Sequence, residues 1–320
     1  MIEVVAVIGT GVIGSGWIAR LLQHGYTVRA FDPTPNYQIG LTQRIDQAIS
    51  ALERAGLAKQ IDRNNLTLCE TLADACYPAD WIQENGPENL EIKHSIHREI
   101  EAAAKSTAII ASSSSGLLPT DIQKVYEKPE RLIIGHPFNP VYLLPLVEIV
   151  GGEGTSSGVI EFAKEFYKRL NMHPLHVRKE IEGYLSDRLQ EALWREILHL
   201  VNDDIATTEE LDDAIIYGPG LRWAIMGTCL TFHLAGGESG MKHMLEQFGP
   251  ALKLPWTKLE APELTNELID KMVEGTKQQA GNQDIVELEQ LRDDCLVEIM
   301  QALNKFQVGA GKLTTPRETS

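Results

Sequence analysis

His136 and Glu148 are the residues of this chain whose types and surroundings best suit acid–base chemistry. They lie in LIIGHPFNPVYLLPLVEIV, from Leu132 to Val150, a stretch that is otherwise strongly apolar. Glu148 sits in LVEIV, whose β-branched, almost wholly apolar character predicts a buried strand. A carboxylate buried there without a partner costs several kcal/mol, so a partner is expected. His136 follows its own apolar run, Leu132-Ile133-Ile134, and is fixed on its far side by Pro137. Two strands joined through Asn139-Pro140 can bring the side chains together, and an imidazole held by a carboxylate is a general base at neutral pH. A plainer reading stands beside this one: a histidine next to proline can be a turn residue, and a glutamate near a strand end can face water.

A second group of residues suits phosphate binding. The apolar strand Glu3 to Ile8 runs straight into Gly9-Thr10-Gly11-Val12-Ile13-Gly14. A helix follows from Ser15 to His24, closed by Gly25, and then a strand from Tyr26 to Phe31 that ends in Asp32. A lone GxGxxG is a weak signal, but here strand, helix and acid are all in place. Gly9 permits the tight turn, Gly11 lets the backbone approach a pyrophosphate, and Gly14 allows close helix–strand packing. The pyrophosphate of a dinucleotide then meets a helix N-terminus, where N–H groups and the dipole favour an anion. Asp32 can accept from ribose hydroxyls and would repel a 2′-phosphate, so NAD is expected rather than NADP.

These groups need a parallel sheet to position them. A polar-faced helix is expected from Tyr37 to about Leu57, with strands at Thr67-Leu68-Cys69, Trp81 to Glu84 and Ala108 to Ala111. In an open α/β sheet ligands bind beyond the carboxyl ends of the strands, which is where Glu88 and Ser115 fall. A hydroxyl in the run Ser112 to Ser115 can hydrogen-bond substrate or the nicotinamide ribose. Val159 to Leu170 reads as a helix and Met172 to Val177 as a last strand. From about Glu182 the pattern changes to long amphipathic helices: Leu185 to Val201, Thr208 to Ile216 and Asp284 to Asn304. The expected fold is therefore α/β, a Rossmann-type dinucleotide-binding domain over 1–181 followed by an all-α domain over 182–320. The tail from Lys312 to Ser320 reads as disordered.

Composition narrows the functions. With 29 basic and 45 acidic residues the formal net charge is −16, which repels nucleic acid and anionic membranes. No apolar run approaches the roughly 20 residues of a membrane span. The N-terminus enters a strand at once, without the pattern of a signal peptide. Cys69, Cys76, Cys229 and Cys295 are scattered, with no metal-binding spacing, and read as reduced thiols of a cytoplasmic protein.

Taken together, Gly9-x-Gly11-x-x-Gly14 with Asp32, then Glu88-Asn89-Leu90-Glu91-Ile92-Lys93, then His136-Pro137-Phe138-Asn139-Pro140 with Glu148 resemble the 3-hydroxyacyl-CoA dehydrogenase superfamily. That resemblance spans essentially the whole chain. It implies a two-domain NAD enzyme that dimerises through its helical half. It also implies His136 as catalytic base, Glu148 as its partner, Ser115 and Asn139 at substrate and cofactor, and Glu88 and Lys93 on the nicotinamide ribose side. Longer strings, among them HPFNPVYLLPLVEIVGG and GPGLRWAIMGTCLTFHLAGG, resemble the members of that superfamily that act on L-carnitine. Asp187 departs from the acyl-CoA members, which carry asparagine there.

L-Carnitine is a 3-hydroxy acid with a trimethylammonium at one end. A quaternary ammonium has no N–H, so aromatic faces and diffuse negative charge must recognise it. Phe138, Tyr142 and Trp223 are candidates with Asp187, and Arg188 and Arg222 suit the substrate carboxylate. For each aromatic, core packing is the alternative. Two other functions fit the same chain. One is an acyl-CoA or other hydroxy-acid dehydrogenase, against which the scarcity of clustered lysines counts. The other is a crystallin-like NADH-binding protein without catalysis, which the His136–Glu148 pair gives no reason to prefer.

Overall fold

The computed structural model describes residues 2–57, 61–224, 226–236, 238, 240–258, 263, 265–270 and 285–313. The chain forms two compact units. One comprises Met1–Asp187 with Asp293–Asn304 and Leu313–Ser320, the other Arg188–Arg292 with Lys305–Lys312.

The first unit is built on one eight-stranded sheet. In chain order its strands are β1 (Val4–Ile8), β2 (Thr27–Phe31), β3 (Leu66–Leu68), β4 (Trp81–Glu84), β5 (Ile109–Ser112), β6 (Leu132–Pro137), β7 (Leu146–Gly151) and β8 (His173–Val177). Their spatial order is β3-β2-β1-β4-β5-β6-β7-β8, the doubly wound arrangement of a Rossmann-type fold. All neighbours run parallel except β6 and β7, which are antiparallel.

Helices cover both faces, as a parallel sheet requires. They are α1 (Val12–Gln23), α2 (Tyr37–Arg54), α3 (Leu72–Cys76), α4 (Leu90–Ala103), α5 (Pro119–Gln123) and α6 (Ser157–Arg169). Alternate strand residues feed opposite cores. Val5, Val7, Ala111 and Ile133 join Trp17, Trp81 and Phe166 on one face. Ala6, Ile8, Ile110 and Ile134 join Leu72, Ile100 and Ile122 on the other. The near-continuous apolar strands are the consequence, because both faces are dry. α1 starts three residues before the expected Ser15, since Gly11 already serves as N-cap and Val12 opens the helix.

In the second unit α7 (Ser186–Asn202) continues from Arg188, followed by α8 (Thr208–Ile216), α9 (Pro219–Trp223), α10 (Thr228–Ala235) and α11 (Gly240–Phe248). The last helix, α12, spans Ile285–Phe306, and its residues 293–304 pack within the first unit. There Val297 and Met300 meet Ala51, Leu52 and Leu143, and Arg54 pairs with Asp294 at 2.8 Å. α8 begins with a capping box, Thr207 accepting from the Glu210 N–H while Glu210 accepts from the Thr207 N–H. Among the described residues no helix is long and apolar enough to cross a membrane. Asp284 and the tail from 314 onward lie outside the described residues.

Candidate active site

Antiparallel pairing of β6 with β7 sets the central contact. The register places His136 opposite Glu148, and Nδ1 of the imidazole lies 3.0 Å from Oε2 of the carboxylate. Glu148 has no exposed surface and His136 is also buried. The second oxygen, Oε1, accepts from the N–H groups of Leu185 and Ser186, each at 3.0 Å, and from the Ser186 hydroxyl at 3.2 Å. Burial opposes ionisation of Glu148. The hydrogen bond from His136 and the two N–H groups outweigh it and hold the carboxyl below its ordinary range. An ionised carboxylate only accepts, so Nδ1 carries a proton, and in the neutral ring Nε2 then presents the lone pair. The Nε2 side faces Asp187, whose Oδ2 is 3.8 Å away, and the rings of Phe138 and Tyr184 lie 5.0 and 5.7 Å from the imidazole. The geometry is that of a base able to take a proton from a hydroxyl.

The loops after β4 and β5 are tied together by two glutamates. Oε1 of Glu88 accepts from the Ser114 hydroxyl at 2.6 Å and from the N–H groups of Ser115, Gly116 and Leu117. Glu88 thus anchors the serine loop and leaves the Ser115 side chain on the surface. Glu84, at the end of β4, is fully buried. It accepts from Lys93 at 3.0 and 3.1 Å, His97 at 3.1 Å, the Ser112 hydroxyl and the Gly86 N–H. Burial opposes the Glu84 charge, and His97, Lys93 and Ser112 overcome it, holding its pKa at about 2. Lys93, expected on the nicotinamide ribose side, is fully buried with its ammonium committed to Glu84 and the Gly86 carbonyl. Asn139 lies exposed in the turn after β6, at a cis peptide bond to Pro140.

The nucleotide end fits a dinucleotide. Gly9 has φ +85°, and a Cβ there would meet the Asn85 carbonyl oxygen at 2.7 Å. A Cβ on Gly14 would lie 1.9 Å from the Gly9 oxygen. At Gly11, by contrast, it would meet nothing within 4 Å, so the space over the α1 N-terminus is open to a phosphate. No acidic side chain occupies the first turn of α1. Val12 is exposed beside that space and Ile13 packs on the core. Asp32 accepts from the Thr10 N–H at 2.7 Å and hydroxyl at 3.1 Å, and from the Thr34 N–H at 2.9 Å. Partial burial opposes its charge, and these bonds keep its carboxyl below the usual range.

Sequence reasoning missed Arg20. This buried guanidinium on α1 donates to the carbonyls of Val141 (2.7 Å), Leu170 (2.9 Å) and Leu144 (3.2 Å), fixing the loop that follows His136. Its only sequence signal is one cation in an otherwise apolar helix. Tyr142 in that loop donates its hydroxyl to Asp293. Arg188, Arg222 and Trp223 belong to the second unit, with Arg222 and Trp223 exposed on α9. Among the described residues no cluster of side chains could hold a metal ion.

A Rossmann-type sheet with a glycine-turn helix and a histidine–glutamate pair on neighbouring strands defines the class. The chain belongs to the 3-hydroxyacyl-CoA dehydrogenase family. Residues 4–181 match the 3-hydroxyacyl-CoA dehydrogenase NAD binding domain and residues 183–284 match its C-terminal domain. The cofactor is accordingly NAD, as the glycine turn and Asp32 suggest.

More particular likenesses follow. The chain is 55% identical to an L-carnitine dehydrogenase of Bacillus cereus over 315 residues, 98% of this chain and 97% of that one. It is 56% identical to an L-carnitine dehydrogenase of a Pseudomonas species over 310 residues, covering 97% of each. Among solved structures, the NAD+-dependent dismutase 5-formyl-3-hydroxy-2-methylpyridine 4-carboxylic acid 5-dehydrogenase matches with a TM-score of 0.80. That match has 25% identity and covers 95% of this chain and 99% of the other.

Proposed function

We propose that this chain oxidises the 3-hydroxyl of L-carnitine to 3-dehydrocarnitine, with His136 as general base. The observation that carries the chemistry is the 3.0 Å contact of His136 Nδ1 with a buried, ionised Glu148. The likeness to L-carnitine dehydrogenases at 55% and 56% identity, over almost the full length of each chain, supports the substrate.

Gly9, Gly11, Val12, Ile13, Gly14 and Asp32 would hold NAD, which would supply the hydride acceptor. The protein's own residues handle the proton. Nε2 of His136 receives it from the 3-hydroxyl, and Glu148 stabilises the imidazolium that results. The Leu185 and Ser186 N–H groups keep Glu148 ionised, so the carboxylate stays a counter-charge rather than a second proton acceptor. Ser115 and Asn139 orient the substrate oxygen, while Glu88 and Lys93 shape the loops on the nicotinamide side. Within the first unit, Phe138 and Tyr142 supply aromatic faces, with Asp187, for the trimethylammonium. In the second unit, Trp223 is a further aromatic candidate, and Arg188 and Arg222 are the candidates for the substrate carboxylate by residue type.

In sequence, the NAD-binding domain spans 1–181 and the helical substrate and dimerisation domain 182–320, although 182–187 and 293–304 pack with the former. A homodimer through the helical half accounts for the exposure of Leu189, Tyr217, Leu221 and Trp256 in the single chain, each about 70% or more exposed. Size-exclusion chromatography with light scattering should give twice the chain mass. The four cysteines are free, and we place the protein in the cytoplasm, where thiols stay reduced.

NADH formation by purified protein with NAD and L-carnitine tests the substrate. Turnover with L-carnitine and none with 3-hydroxybutyryl-CoA is expected, and the reverse pattern would refute the reading.

A further inference from the structure

We infer that the carboxylate of Asp187 decides which end of the substrate lies beside the N-terminus of α7, and so which enantiomer is oxidised. The inference rests on the carnitine reading and goes beyond it.

His136 stands between two carboxylates with different surroundings. Glu148 is fully buried and saturated by His136, Leu185 and Ser186. Asp187, the second residue of α7, keeps a third of its side chain exposed, with Oδ2 3.8 Å from Nε2. That distance is too long for a hydrogen bond but short for an electrostatic contact. Its backbone is anchored, because Glu148 accepts from the two N–H groups that precede it, those of Leu185 and Ser186. One carboxylate therefore fixes both the base and the helix start that carries the other charge. Asp187 lies on the side that a hydroxyl must approach to reach Nε2.

Carnitine makes that charge decisive. C3 bears a hydroxyl, a hydrogen, a trimethylammonium arm and a carboxylate arm. Chemistry fixes two of the four: the hydroxyl must meet Nε2, and the hydrogen must face the hydride acceptor. The two arms can then be placed in two ways, and exchanging them converts L-carnitine into D-carnitine. Each arm carries its charged group two bonds from C3, so the arms differ chiefly in the sign of that charge. A fixed negative charge next to Nε2 attracts the ammonium arm and repels the carboxylate arm. Specificity then comes from attraction and repulsion together. Phe138, 5.0 Å from His136, offers the face that a cation without N–H donors also requires.

The test compares kcat/KM of wild type, Asp187→Asn and Asp187→Glu on L-carnitine, D-carnitine and 3-hydroxy-5,5-dimethylhexanoate, the isostere that keeps the carboxylate but has an uncharged tert-butyl group in place of the trimethylammonium. Inhibition constants serve for any compound that is not turned over, and melting curves accompany each variant. Asp187→Asn should lose roughly 10- to 100-fold on L-carnitine, given one partly exposed charge at close range. It should lose far less on the isostere, narrow the preference for L over D, and be partly rescued in Asp187→Glu. A measurement on the wild type alone does not depend on the variants folding. Choline should compete with L-carnitine at least about tenfold more strongly than 3,3-dimethylbutan-1-ol, its neutral isostere. Equal losses on carnitine and isostere with the enantiomer preference intact would overturn the inference, as would equal inhibition by choline and the alcohol. Wild-type protein inert toward L-carnitine would instead overturn the functional reading beneath it.

Discussion

Two buried glutamate–histidine pairs stand at the central sheet, and they do different things. Glu84 contacts Nε2 of His97 at 3.1 Å, and Glu148 contacts Nδ1 of His136 at 3.0 Å. Both glutamates are fully buried and both are held ionised. The difference lies at the second ring nitrogen. In His97 it is 2.6 Å from the Tyr126 hydroxyl, so both ring nitrogens are engaged. In His136 the second nitrogen is hydrogen-bonded to no described residue and faces Asp187 across 3.8 Å. A saturated imidazole is a strut, whereas one with a spare lone pair is a base. Residue types alone do not distinguish the two, and what decides the role is which partners remain.

The two pairs differ most at Glu148. Glu148→Gln keeps the shape but no longer fixes the ring tautomer by charge, so kcat with L-carnitine should fall roughly 100-fold or more. A fall of less than about tenfold would leave the two pairs functionally alike. Glu84→Gln should show the opposite pattern. Removing one partner of the buried ion pair with Lys93 should cost about 3–5 kcal/mol of stability in chemical denaturation. Activity of the protein that remains folded should change much less.

The same pair sets a pH dependence. The Glu84 pKa is depressed on folding, so its stabilisation is present above the unfolded carboxyl value. It fades as pH falls from about 4.5 toward about 2. The stability gap between wild type and Glu84→Gln should therefore be full at pH 7 and narrow across that window. A gap independent of pH would assign the effect to packing alone. The smallest effect belongs to Ser115→Ala, which should lower kcat/KM only a few-fold, in line with about 0.5–1.5 kcal/mol for one hydrogen bond. A loss above 100-fold would give Ser115 a share of the chemistry.

Much of this was legible in the sequence because local pattern governs it. The glycine turn, Asp32, β4 at Trp81–Glu84 and α8 at Thr208–Ile216 follow from spacing, periodicity and caps. The partner expected for a carboxylate inside LVEIV is present, because burial leaves such a group no alternative. Long-range partners were less legible. The family resemblance puts Lys93 on the nicotinamide ribose side, yet α4 turns its ammonium onto Glu84, nine positions earlier on another element. Arg20 meets carbonyls more than a hundred positions away. The contact of Glu148 with the start of α7 depends on how β7 and that helix assemble, which no local period encodes.

Turnover of His136→Gln with L-carnitine and NAD, measured on protein whose melting curve and NADH binding match the wild type, decides whether His136 is the base. Its kcat should be roughly 1,000-fold lower or more, with cofactor binding retained. A variant that keeps most of its kcat would contradict the assignment of His136 as the base.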